Sequence, residues 1–140
     1  MSYKKILLNE IREKGFEITD LGTSDENSAD DYPDHAADVA NAILAKMADR
    51  GIIICGSGVG VSVAANKFKG IRAGVCHDTY SAHQCVEHDD ANVLCLGERI
   101  IGTELASEIV FAFLNATFSH EERHQRRLDK IIAIETKNMK

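Results

Sequence analysis

From Tyr3 to Lys14 the apolar residues Ile6, Leu7 and Ile11 recur at helical spacing, and Gly15 follows where such a helix would close. Phe16 to Leu21 then alternates apolar with polar, the period of a short strand. Gly22 to Tyr32 is polar and acidic and reads as a loop. Pro33 suits the first turn of a helix, whose apolar face continues through Val39, Ala40, Ile43, Leu44 and Met47. Ile52-Ile53-Ile54-Cys55 is uninterrupted apolar sequence, the mark of a strand covered on both faces. A glycine-rich turn, Gly56 to Gly60, leads into a helix reaching about Phe68. Strands are predicted at Ile71 to Val75 and Asn92 to Leu96, with a helix from Thr79 to His88 between them. Thr103 to Ala116 is an amphipathic helix, and a helix of mixed charge runs from Glu121 to Glu135. This alternation predicts an α/β fold, a three-layer sandwich around a parallel, Rossmann-like sheet with four strands visible. One domain is expected over residues 1–140, with residues 121–140 as a C-terminal helical tail.

Composition narrows the partners more than the fold. With 140 residues and 44% of them hydrophobic, the chain is long enough to bury one sizeable core. A net charge of −6 disfavours nucleic acid as a partner. No apolar run approaches the ~20 residues of a membrane span, and Met1 to Asn9 does not read as a signal peptide. Cys55, Cys76, Cys85 and Cys95 form no C-x-x-C pair, which argues against structural zinc. Three of them sit in or at the end of apolar runs, as thiols of a reducing cytoplasm do.

The sharpest local chemistry is Cys55-Gly56-Ser57-Gly58-Val59-Gly60. Glycines between a strand and a helix let a ligand approach the backbone, and a helix N-terminus offers N–H groups to an anion. The spacing is not the dinucleotide fingerprint, because Val61 stands where a third glycine is needed, and no Gly-Lys-Ser/Thr of a P-loop follows. The alternative is a tight connection that holds no ligand. Cys55 lies at the carboxyl end of its strand, where open α/β sheets bind ligands. There a thiolate suits a base or nucleophile, while a small buried hydrophobe is the plainer reading. Cys76, Cys85 and Cys95 read as inert. His77, His83 and His88 fall in one helical region, but His83 and His88 are five apart and share no face well, which weakens a metal site. Arg123 and Arg127 lie at i, i+4, a geometry that suits a phosphate; pairing with Glu121, Glu122 and Asp129 on a solvated face is the alternative.

Together these stretches resemble the ribose-5-phosphate isomerase B family, which includes the galactose-6-phosphate isomerase subunits. The likeness runs from about Tyr3 to Glu135. Asp31-Tyr32-Pro33, the run from Gly51 to Lys67, Gly70 to Ala73, Glu87 to Leu94, Leu96 to Arg99 and Arg123 to Arg127 carry it. The Arg-His-Gln-x-Arg ending is similar to the ribose enzymes. The resemblance implies interconversion of ribose 5-phosphate and ribulose 5-phosphate through an enediolate, with no metal and no cofactor. It implies that Cys55 is the base, that Ser57 and His88 help open the furanose ring, and that N–H groups of Gly56, Gly58 and Gly60 stabilise the enediolate. Arg123 and Arg127 match the phosphate clamp. A homodimer with shared active sites is implied, with His88, Asp89 and Arg99 supplied by the partner chain.

Two departures from the family pattern matter. Asp89 stands where Asn is usual, and an extra carboxylate would repel an anionic substrate. Family chains also open with a strand and an Asp-His turn that contact sugar and phosphate, five strands in all, whereas Met1-Ser2-Tyr3 leads straight into a helix. On that reading about ten residues are expected upstream, and the chain as written is expected to be of low stability and activity. A degenerate, non-catalytic phosphosugar-binding homologue is therefore the alternative; a nucleotide-binding regulatory domain is disfavoured by the absent fingerprint.

Overall fold

A computed structural model describes residues 2–22 and 31–139. Its elements alternate as α1 (Tyr3–Glu13), α2 (Tyr32–Leu44), β1 (Gly51–Cys55), α3 (Val59–Ala65), β2 (Ala73–Val75), α4 (Thr79–Asp89), β3 (Val93–Gly97), α5 (Thr103–Leu114) and α6 (Glu122–Asn138). The three strands are parallel, in the order β1-β3-β2. Side chains alternate across them with period two. Ile52, Ile54, Leu94 and Leu96 face a core made with α1, α4 and α5, around Leu7, Val86, Ile109 and Phe113. Ile53, Cys55, Val93 and Cys95 face a second core under α2 and α3. The result is a three-layer sandwich, with β3 central and buried along its whole length.

Local chemistry sets the element ends. Gly15, at φ +89°, closes α1: its N–H donates to the Arg12 carbonyl and that of Phe16 to the Ile11 carbonyl, a paired C-terminal lock. Pro33 sits in the first turn of α2, as the sequence predicts. Helix α3 stops at Ala65 rather than Phe68. The next residue, Asn66, turns its amide onto β2: Oδ1 accepts the Ala73 N–H at 2.8 Å and Nδ2 donates to the Ala73 carbonyl at 3.0 Å. That amide stands in for a neighbouring strand at the free edge. Strand β2 also begins two residues later than expected, because the Ile71 N–H donates to the Phe68 carbonyl and that of Arg72 to Asn92 Oδ1.

Among the described residues the sheet has three strands and not four. Phe16 to Leu21 carries the strand period but is not a strand. Among the described residues no strand lies alongside it, and a backbone without a ladder cannot form one. Side chains hold the segment instead: Phe16 and Ile18 pack on the α1/α4/α5 core, with the Phe16 ring 6.2 Å from that of Phe111. Most of the acidic loop expected from Gly22 to Tyr32 lies outside the described residues. Among the described residues no helix is long and apolar enough to cross a membrane.

Candidate active site

Parallel strands give the sheet two chemically distinct ends, and the candidate residues divide between them. Cys55, Gly97 and Val75 mark the carboxyl ends of the strands, while Gly51, Val93 and Ala73 mark the amino ends. Four steps along β1 or β3 separate the two ends by about 13 Å.

At the carboxyl end, half-buried Cys55 runs into the glycine turn. Gly58 adopts φ +82°, and a Cβ there would come 3.1 Å from the Leu96 backbone, so only glycine fits without strain. Ser57 is exposed, and its Oγ accepts the Val59 N–H at 3.2 Å. The turn lies against the end of β3. The Glu98 N–H donates to the Cys55 carbonyl at 2.8 Å, and the Arg99 N–H to the Gly56 carbonyl at 3.1 Å. The Arg99 side chain covers Gly56, its Nε 3.8 Å from where a Cβ would stand. Arg99 thus reaches the glycine turn of its own chain. β1 and β3 are adjacent strands, so their outgoing turns touch.

Three residues join this end to which the sequence reading gave no role. Tyr32, at the start of α2, lies on Gly60, where a Cβ would fall 2.5 Å from its ring. Gly97 presses on Ser57, where a Cβ would be 2.8 Å from backbone. The Gly97 N–H also donates to His77 Nε2 at 2.9 Å, leaving the His77 proton on Nδ1. Tyr32 and Gly97 lie inside motif stretches, but only the fold reveals what faces them.

The amino end holds the other group. Helix α4 starts after β2 at Asp78 and returns antiparallel, so its last turn, with His88 and Asp89, reaches the opposite edge. Arg72, just before β2, fixes that turn by donating from Nε to the carbonyls of Asp89 (3.2 Å) and Asp90 (2.9 Å). His88 Nδ1 accepts from the Gln84 amide at 3.1 Å, which puts the proton on Nε2, a donor 3.5 Å from Glu87 Oε1. The His88 ring stacks on His124 of α6, with centroids 4.0 Å apart. Arg123 and Arg127 rise from the same part of α6. Arg126 takes Glu122 at 2.7 Å, and Gln125 takes Asp129 at 2.8 Å. Arg123 is left with Glu121 at 3.9 Å, and Arg127 has no acidic partner among the described residues. The arginines of the predicted clamp are thus the ones least consumed by local ion pairs.

The remaining thiols serve the core. Burial pushes Cys95 up to about 12. Cys85 and Cys76 share a thiol hydrogen bond that raises the first and lowers the second. Glu87 is held below the usual carboxylate range, chiefly by its hydrogen bond with His83 at 2.6 Å.

Known proteins share this sequence pattern and fold. The sequence profile of the family described as "Ribose/Galactose Isomerase" matches residues 1–131. The chain is 51% identical to ribose-5-phosphate isomerase B of Escherichia coli K12 over 88% of its own length and 81% of that protein's. A D-erythrulose-4-phosphate isomerase of Pectobacterium atrosepticum is 39% identical, over 87% and 90%. Among solved structures, ribose-5-phosphate isomerase B of Clostridium thermocellum superposes with a TM-score of 0.91 at 46% identity, covering 96% of this chain and 90% of that one. The Mycoplasma genitalium enzyme with bound ribulose 5-phosphate gives 0.90 at 43%, covering 97% and 90%. Profile, relatives and fold all agree: the chain belongs to the ribose/galactose isomerase family.

Proposed function

We propose that the protein interconverts ribose 5-phosphate and ribulose 5-phosphate by proton transfer through an enediolate. What carries the reading is the strand-end Cys55 above a glycine turn, in a chain whose fold and sequence match a relative solved with ribulose 5-phosphate.

In the ring form, the C1–O4 bond breaks as the O1 hydroxyl passes its proton through the Ser57 hydroxyl to solvent and O4 takes a proton from Nε2 of His88 in its imidazolium form, giving the open aldehyde and a neutral His88. The Cys55 thiolate removes the C2 proton, and the electron pair moves through C1 onto O1. Backbone N–H groups of Gly56, Gly58 and Gly60 stabilise the enediolate oxygens. The O2 proton passes to O1, and the Cys55 thiol returns its proton to C1, leaving the ketone at C2. Arg99, Arg123 and Arg127 supply positive charge for the phosphate.

Cys55 and His88 lie at opposite ends of one sheet, so this chemistry needs a second copy whose amino-end group meets the first copy's glycine turn. A homodimer closes two such sites at once. Exposed apolar residues near each end support the pairing: Val59 and Val63, four apart on α3, and Ile131 and Ile134 on α6. The four free thiols accord with a cytoplasmic setting. Asp89 stays in the reading as a polar group beside His88 that a phosphosugar hydroxyl could reach.

The test is isomerisation of ribose 5-phosphate by the chain and by Cys55→Ala. Loss of turnover by a factor on the order of 100 to 10,000, with phosphosugar binding retained, is expected for removal of a general base. Near-normal turnover in Cys55→Ala overturns the assignment. Binding without turnover in the unmodified chain favours the non-catalytic homologue.

A further inference from the structure

His124 stands in the first turn of α6 with a side chain only 3% exposed. An imidazole is costly to bury unless its nitrogens are satisfied, and both are. Arg123 Nε lies 3.3 Å from Nε2, and a guanidinium can only donate, so Nε2 is the acceptor. The proton is therefore on Nδ1, which donates to Ser119 Oγ at 2.6 Å, with Glu121 Oε2 3.6 Å away. Ser119 is itself anchored. Its hydroxyl accepts the Glu121 N–H at 3.2 Å, and its own N–H donates to the Glu87 carbonyl at 3.0 Å, one residue before His88. The face of the His124 ring lies on His88, 24° from parallel. A residue present only for packing would not need to offer Arg123 a lone pair.

We propose that His124 is a positioning residue for the isomerisation. Its ring face sets the plane of His88, and its Nε2 sets the Arg123 guanidinium, so one buried imidazole aligns the ring-opening group with the phosphate-holding one. This rests on the roles proposed above for His88 and Arg123.

The experiment uses the full chain and four variants: His124→Ala, His124→Phe, His88→Ala and Arg123→Ala. Two rates are read across substrate concentration, giving a KM and a maximal rate for each. One is conversion of ribose 5-phosphate; the other is exchange of the C1 proton of ribulose 5-phosphate with D2O. Ribulose 5-phosphate cannot form a five-membered ring, because its O5 carries the phosphate, so exchange needs the enediolate but no ring opening. His124→Phe keeps the stacked face and loses the nitrogens; it is expected to raise KM roughly threefold or more while holding both maximal rates within about threefold. His124→Ala loses both contacts and is expected to cut conversion roughly tenfold or more, with exchange within about threefold, the pattern of His88→Ala. If His88→Ala and Arg123→Ala are impaired while the His124 variants keep all constants, or lose both rates in parallel with a lower melting temperature, His124 only packs and the inference is overturned. If His88→Ala and Arg123→Ala change nothing, the functional reading fails and the inference falls with it. Should His124→Ala not fold, His124→Phe decides, since an unchanged KM there is enough to overturn the proposal.

Discussion

The two ends of the sheet solve opposite problems. At the carboxyl end, backbone is brought close: Gly58, Gly60 and Gly97 each leave no room for a side chain, and the candidate base, Cys55, stands at a strand terminus beside them. At the amino end, long polar side chains are held in place by one another, through Gln84, His88, His124, Ser119 and Arg123. On the function proposed above, reaction and recognition have different structural supports. A carbanion-like intermediate wants fixed dipoles close by, and backbone is the most rigid source of them. A phosphate and a ring oxygen want charge and a movable proton, which side chains supply.

The largest effect that can break this comparison comes from mixing. Cys55→Ala and His88→Ala chains, each far below the wild-type conversion rate alone, combined in equal amounts and allowed to exchange, are expected to recover about a quarter of the wild-type activity. Half of randomly formed pairs are mixed, and one of their two sites is then intact. No recovery despite proven exchange would mean that the two ends do not meet between subunits.

Next are the glycines. Gly58→Ala places a Cβ at positive φ against the Leu96 backbone and is expected to cost about 1–3 kcal/mol in stability by chemical denaturation. Gly56→Ala meets only Arg99 at ordinary contact distance and is expected to stay within about 0.5 kcal/mol. Equal costs would show that the turn is not held as described.

At the amino end, Arg127→Ala is expected to lower kcat/KM about tenfold, near 1.4 kcal/mol, without a change in melting temperature. Unchanged kinetics would make Arg127 a surface charge.

The smallest effect concerns α4, which links the ends. Asp78 caps it, accepting from the Ser81 N–H at 2.6 Å and the Ser81 hydroxyl at 2.9 Å, and these bonds hold its carboxyl below the usual range. A depressed folded value gives stabilisation that is present above the ordinary carboxylate range and lost as pH falls through the folded value. Asp78→Asn should therefore lie below the parent in thermal stability near neutral pH, with the gap closing in acid. A gap independent of pH would remove the charge from the explanation.

Much of this was legible in the sequence. The apolar run at Ile52 to Cys55 and its glycine turn fall where the periodicity and the glycines put them, and so do α1, α4 and α5 within a residue or two; α2 closes at Leu44, three residues short of the expected Met47, and both side chains are exposed. Phe16 to Leu21 misled because alternation reports which side chains face a core, and those of Phe16 and Ile18 do; it says nothing about whether a strand lies alongside. The contact of Arg99 with the glycine turn could not be read without the strand order. Once β3 lies next to β1, its outgoing turn has nowhere to go but over Gly56. His124 drew no attention because a histidine between arginines reads as part of a charged surface, and nothing local indicates that its ring is buried against α4.

Arg50 carries a consequence for anyone who wishes to lengthen the chain. Just ahead of β1, it donates to the carbonyls of Phe113, Leu114 and Ala116, at 2.5, 3.3 and 2.6 Å, and lies over the Phe113 ring. Three residues later Ser119 is tied to α4. The connection into α6 is therefore a strut pinned at both ends, not slack rope. One residue inserted between Asn115 and Ser119 adds up to 3.8 Å of chain between two fixed points. Such an insertion would shift the downstream arginines relative to His88 while leaving every side chain of that cluster in place.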